Sequence, residues 1–204
     1  AHAWRTDRGA CLIHCLMRTH FLLTLLLFFA TCLISADKPE PTTLTFYVGG
    51  VECPSCVYSV NYSISQLKSV SDVTAGQFIE NYANVTFDPK VVSIHQIAQA
   101  VTEAAPLHGV PYVATMKLFI PDYAKEQNSR KVDALFARWK ALVEVETVDR
   151  AAGEFLIHFQ PLKMDAKKAG PQGLTLDELT AALSEPAPKG LGMSFRLAKE
   201  NDPM

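Results

Sequence analysis

The chain has 204 residues, with 19 Lys and Arg against 21 Asp and Glu, so its formal net charge is −2 at pH 7. Hydrophobic residues make up 49% of the chain, an ordinary share that allows one or two small globular domains. Because the charges nearly balance and no cluster of Lys and Arg resembles a phosphate-binding surface, we expect no nucleic-acid partner.

The first 36 residues have the pattern of a secretory signal. Basic residues that include Arg18 precede an apolar run over residues 21–33, and small residues follow as far as Ala36. Met17 is the expected start of translation, and residues 1–16 resemble translated upstream sequence. We therefore expect cleavage near Ala36 and export to the periplasm or cell envelope.

Two alternatives would keep the chain at a membrane. The apolar run is short for a bilayer span but could remain as an uncleaved anchor. Cys32 follows small residues and could be a lipid-attachment site, although the usual leucine three positions earlier is missing. Residues 37–42 then form a polar linker.

Residues 43–115 alternate between strand and helix periodicity in the order βαββαβ. This order is typical of the split-βαβ, ferredoxin-like arrangement and predicts an α+β domain. Ser93 begins a capping box, which marks the start of the second helix. The predicted elements are a strand over 43–48, a helix over 55–68, strands over 70–79 and 82–87, a helix after Ser93 and a strand over 112–120.

Residues 116–198 repeat the same order and predict a second ferredoxin-like domain without cysteine, followed by a tail over 199–204. Its first strand is either 116–120 or one part of a longer run, 112–120, that divides between the two domains. We expect this domain to bind no metal and to support the first domain or present a docking face. Its other predicted elements are a helix over 129–142, strands over 143–148 and 154–159, a helix after the capping box at Thr175 and a strand over 193–197.

The sequence Cys53-Pro54-Ser55-Cys56 lies between the first predicted strand and the first predicted helix. Thiolates are soft ligands that select Cu(I), Zn(II) and similar ions. Two cysteines alone suit Cu(I) or Hg(II) and provide too few ligands for tetrahedral Zn(II). The positive end of the helix dipole is expected to lower the pKa of both thiols.

Residues 50–56, in this strand–helix order, resemble the heavy-metal-associated domain family, which includes copper chaperones, metal-binding repeats of copper-transporting ATPases and mercury-binding proteins. The resemblance covers residues 43–119 and implies a metal site at Cys53 and Cys56. Val51 stands where the family normally has Met, and Pro54 is unusual between the thiols. These departures leave the identity of the metal open among copper(I), mercury and zinc.

His108 lies in the loop before the closing strand of the first domain, which in this fold returns beside the first strand–helix loop. The resemblance implies a tuning residue in this region, sometimes a histidine that joins the metal; the alternative is a solvated loop histidine. Tyr112 could cover the site, but we expect it to begin the strand. We expect His95 on the polar face of the second helix and His158 in a strand, neither with a metal role.

No catalytic triad, glycine-rich phosphate loop or carboxylate pair is recognisable, so we expect no enzymatic activity. The sequence predicts an exported protein that captures Cu(I) through Cys53 and Cys56. It would buffer the ion or pass it to a metal-transporting ATPase or a cuproprotein. The alternatives are a mercury-binding scavenger, a thiol–disulfide redox protein and a protein-interaction module.

Overall fold

The computed structural model describes residues 40–76, 81–199 and 202. The predicted signal peptide, Cys32 and most of the predicted tail lie outside these residues. The described part contains seven strands and four helices: β1 (Thr42–Gly49), α1 (Pro54–Ser65), β2 (Val70–Ala75), β3 (Tyr82–Phe87), α2 (Ile94–Glu103), β4 (Val113–Phe119), α3 (Glu126–Arg138), β5 (Val143–Asp149), β6 (Glu154–Phe159), α4 (Leu176–Ser184) and β7 (Arg196–Leu197).

All seven strands belong to one antiparallel sheet with the order β2-β3-β1-β4-β6-β5, and β7 pairs with β4. The first four strands thus have the spatial order of a split-βαβ unit, with β3 between β1 and β2. The strands β7, β4, β6 and β5 repeat that order in the second half. The predicted α+β, ferredoxin-like fold class is confirmed.

Strand β4 belongs to both halves of the sheet. Its residues 113–115 pair with β1, and residues 115–119 pair with β6. Leu118 and Phe119 also pair with β7, which must lie on the β1 side because β6 occupies the other edge. The long run of alternating residues is therefore shared between the halves, and the domain boundary predicted after residue 115 falls inside this strand.

One hydrophobic core lies against a single face of the sheet. Alternate residues of β4 point into it, since Ala114, Met116 and Leu118 are buried. The core is continuous from one half to the other, and the rings of Phe46 and Phe159 lie 6.4 Å apart where the halves meet. The alternation in β4 therefore extends one core beneath the whole sheet.

The prediction that His95 lies on a polar, solvent-facing side of α2 is wrong. His95 has a relative exposure of only 1%, and Gln96 is buried beside it. The segment that joins β6 to α4 packs against this face, and the His95 backbone N–H donates to the Leu174 carbonyl at 3.2 Å. A helix that looks amphipathic in the sequence is thus covered on a second side by a distant segment.

Several predicted boundaries also differ. Helix α3 begins three residues earlier than predicted and ends at Arg138, because residues 139–142 form a turn in which the Leu142 N–H donates to the Trp139 carbonyl. The closing strand is only Arg196–Leu197, since the Met193 N–H bonds to the Leu183 carbonyl and not to a strand. Among the described helices, none has the length and apolar character needed to cross a membrane.

Candidate metal centre

The two cysteines are held where β1 gives way to α1. Cys53 is the N-cap residue, and its sulfur accepts a hydrogen bond of 3.3 Å from the Cys56 backbone N–H. Pro54 occupies the first turn, where its fixed φ suits a helix start and its missing N–H is not needed. The proline between the thiols therefore favours the helix that positions both of them.

Gly50 allows the loop before Cys53 to lie against the loop that carries His108. Its φ is +82°, and a Cβ atom at this position would approach the Pro111 carbonyl oxygen at 2.7 Å. A larger residue would strain the backbone and separate the two loops. The tight contact keeps the two sides of the site together.

Both thiols are free, with their sulfur atoms 3.1 Å apart. Cys56 is buried in the core and Cys53 is partly exposed. The Nε2 atom of exposed His108 lies 3.2 Å from the Cys53 sulfur. The three donor atoms lie within 4.8 Å of one another, so Cys53, Cys56 and His108 form a group that could hold a metal ion.

Tyr112, which the sequence offered as a possible cover of the site but favoured as a strand residue, contacts Cys56. It is buried just before β4, and its hydroxyl hydrogen-bonds the Cys56 thiol. The same hydroxyl accepts a hydrogen bond of 3.4 Å from the Leu107 N–H, next to His108. A signal was present in the sequence, because Tyr112 lies only four residues after His108 in the loop expected beside the thiols.

The surroundings of Cys56 favour its thiolate. Burial raises the pKa of Cys56. Hydrogen bonds from the Tyr112 hydroxyl, the Glu52 backbone, and the side chain and backbone of Cys53 lower it by more, so the net change is from 9.0 to about 7. Burial and the bond to Cys56 raise the pKa of Tyr112, so its hydroxyl stays protonated and donates. These hydrogen bonds therefore favour ionisation of the Cys56 thiol nearer to neutral pH than that of an ordinary cysteine.

His158 and His95 lie outside the group formed by Cys53, Cys56 and His108. His158 is in β6, as predicted, and its ring contacts Glu146 at 3.2 Å and Thr115 at 3.4 Å. His95 lies on α2 and contacts the β6–α4 segment. Among the described residues, the site thus draws its ligand-type side chains from the α1 start and the loop after α2 alone.

No protein-family model and no curated protein matches the chain. It is similar to two solved structures from Bacillus subtilis, both of the P-type ATPase CopA. The water-soluble region of that ATPase is 15% identical, with 80% of this chain and 95% of that chain covered and a TM-score of 0.35. Its N-terminal soluble domains are 16% identical, with 63% and 84% covered and a TM-score of 0.29. The fold class given above rests on the sheet topology of this chain itself.

Proposed function

We propose that this chain is an exported, non-enzymatic metal-binding protein that captures Cu(I) through Cys53 and Cys56. It would buffer the ion or transfer it to a metal-transporting ATPase or a cuproprotein. The observation that supports this function is the convergence of two thiols and the His108 imidazole within 4.8 Å. The proposal of export rests on the signal pattern of residues 17–36, and N-terminal sequencing of the secreted protein should find cleavage near Ala36.

The donor set favours a soft ion of low coordination number. Two thiolates bind Cu(I) strongly, and the imidazole of His108 can complete a three-coordinate site. Tetrahedral Zn(II) would need a fourth ligand. Among the described residues, the site offers only three ligand atoms of His, Cys, Asp or Glu, from Cys53, Cys56 and His108. Hg(II) also suits the thiol pair and is the alternative within the same class.

The position of each donor suits transfer. Cys53 is partly exposed and His108 is exposed, whereas Cys56 is buried. A thiol of a partner can therefore approach from the side of Cys53 while Cys56 still holds the ion. Stepwise replacement of ligands avoids release of free copper into solution.

The decisive experiment is a Cu(I) titration of the reduced chain under anaerobic conditions, in competition with a chromogenic chelator. We expect one ion per chain, and we expect Cys53→Ser combined with Cys56→Ser to abolish uptake. His108→Ala should weaken retention about tenfold or more if His108 is a ligand, whereas His158→Ala, remote from the thiols, serves as the matched control. Full uptake by the double Ser variant would overturn the proposal.

A dithiol redox function is the second candidate, favoured by the 3.1 Å between the sulfur atoms and the pKa of Cys56 of about 7. In that reaction the two thiols would form the Cys53–Cys56 disulfide, and the partner's disulfide would take up two electrons and two protons. Reduction of insulin by the metal-free chain, sustained with a thiol reductant, would favour this reaction over copper capture.

A further inference from the structure

His95 joins the two halves of the molecule through both nitrogens of its ring. Its Nε2 lies 2.7 Å from the Gln160 carbonyl oxygen, just after β6. Its Nδ1 accepts a hydrogen bond of 3.3 Å from the Leu174 N–H. The His95 backbone N–H donates in return to the Leu174 carbonyl at 3.2 Å. One residue of α2 thus holds both ends of the segment 160–174.

These bonds fix the protonation state of the ring. A carbonyl oxygen only accepts, so Nε2 carries the hydrogen; Nδ1 faces an N–H and must be bare. A second proton on Nδ1 would place that N–H against the Leu174 N–H, and two donors cannot hydrogen-bond each other. The hydrogen-bond pattern is therefore compatible only with a neutral imidazole.

The packing around the ring offers little to stabilise a charge. The Phe159 ring centroid lies 5.4 Å from that of His95, and a Cβ atom on Gly173 would lie 2.6 Å from Nδ1. The ring contacts Phe159 at the end of β6, Gln160 just after it, and Gly173 and Leu174 before α4; none of these four is titratable or charged. Burial lowers the pKa of His95, only partly offset by the bond to the Gln160 carbonyl.

We propose that His95 is an acid-sensitive latch that holds the segment 160–174 against α2 and releases it when the imidazole takes up a second proton. The neighbouring contact between Gln172 and the start of α2 uses different groups. The Gln172 N–H donates to the Gln96 side-chain oxygen at 3.1 Å, and the Ser93 hydroxyl donates to the Gln172 carbonyl. These groups do not titrate. Acid should therefore open the contacts around Leu174 and Gln160 first, whether or not a metal is bound.

The test uses the intact, reduced, metal-free chain at pH 7.5 to 5. Histidine-ring ¹⁵N NMR should show His95 as the neutral Nε2–H form at pH 6.5, where an ordinary histidine is half protonated. The protection factor of the Leu174 amide, corrected for intrinsic exchange, should fall by up to about tenfold per pH unit below pH 6.5, because opening is linked to one proton. The Val85 amide in β3 is the internal control. An ordinary His95 titration, or unchanged Leu174 protection down to pH 5, would overturn the latch.

A matched pair of variants separates this histidine from the general effects of acid. His95→Gln keeps an amide donor and an acceptor but cannot titrate, so Leu174 protection should lose its dependence on pH. His158→Gln removes a histidine outside the latch and should leave that dependence intact. The latch is refuted if His95→Gln retains the wild-type pH dependence. The wild-type NMR measurement decides for or against the latch even where His95→Gln does not fold.

Discussion

Tyr112 donates a hydrogen bond to the sulfur of Cys56 and so favours ionisation of that thiol. A thiolate that accepts a hydrogen bond is a weaker base, so protons compete less with a metal for it. Because the hydroxyl also accepts from the Leu107 N–H, the same contact fixes the loop next to His108. Tyr112 thus connects the ionisation of Cys56 to the placement of the loop next to His108.

Tyr112→Phe should raise the pKa of Cys56 above its present value of about 7. The sign follows from the lost donor: the thiolate is stabilised less, so it appears only at higher pH. The measurement is the pH dependence of the Cys56 Cβ chemical shift, by ¹³C NMR of the reduced, metal-free protein. Tyr123→Phe is the control, since Tyr123 is buried but bonds to Asp133. An unchanged midpoint in Tyr112→Phe would contradict this role.

The two thiols can be placed from the sequence because their spacing and the helix start are local features. His108 is a candidate at that level because the fold class returns its loop to that place; the structure brings it to Cys53, and its ligand role stays a prediction. The contact of Tyr112 depends on how the loop turns before β4. That turn requires Gly50 and Pro111 to meet across the site, which no local pattern encodes.

At the scale of elements, the N-terminus of α2 is held more firmly than an ordinary helix start. Ser93 and Gln96 form a capping box, as predicted, and both are buried. The Ser93 hydroxyl also donates to the Gln172 carbonyl. One side chain therefore caps the helix and joins it to the β6–α4 segment.

Ser93→Ala should lower the free energy of unfolding by about 2–4 kcal/mol, since a lost cap costs about 1 kcal/mol and an unpaired buried carbonyl adds about 1–3 kcal/mol. Thr175→Ala is the matched control, because its capping box at α4 is exposed and should cost only about 1 kcal/mol. Urea unfolding followed by circular dichroism gives both values. Equal losses in the two variants would show that the contact with Gln172 contributes nothing.

The elements themselves are predictable where the pattern is local. Both capping boxes and the strand Tyr82–Phe87 lie where turn residues and alternation mark them. The burial of His95 is not predictable in this way, because the segment that covers it lies more than sixty residues further along the chain. The closing strand is shorter than predicted because the residues before it bond to the end of α4 and not to β4.

At the scale of the whole molecule, β4 determines how the two halves behave. It pairs with β1 on one side and β6 on the other, and its buried residues belong to one continuous core. Neither half can lose this strand without exposing apolar surface of the other. The tandem repeat predicted from the sequence should therefore unfold as one cooperative unit, although each half has the strand order of a domain.

Two intrinsic probes can test this cooperativity. Trp139 follows α3 and reports on the second half, and in the Trp4→Phe variant it is the one remaining tryptophan. Cys56 is buried in the first half, so in a variant whose other four cysteines are replaced by Ser its labelling by a thiol reagent reports on unfolding there. In urea we expect the fluorescence and labelling transitions to coincide.

Met116→Ala, at the centre of β4, should shift both midpoints together by the equivalent of about 2–5 kcal/mol. Two separate transitions, or a shift of the Trp139 signal alone, would mean that the halves fold as independent domains joined by a strand that either can release.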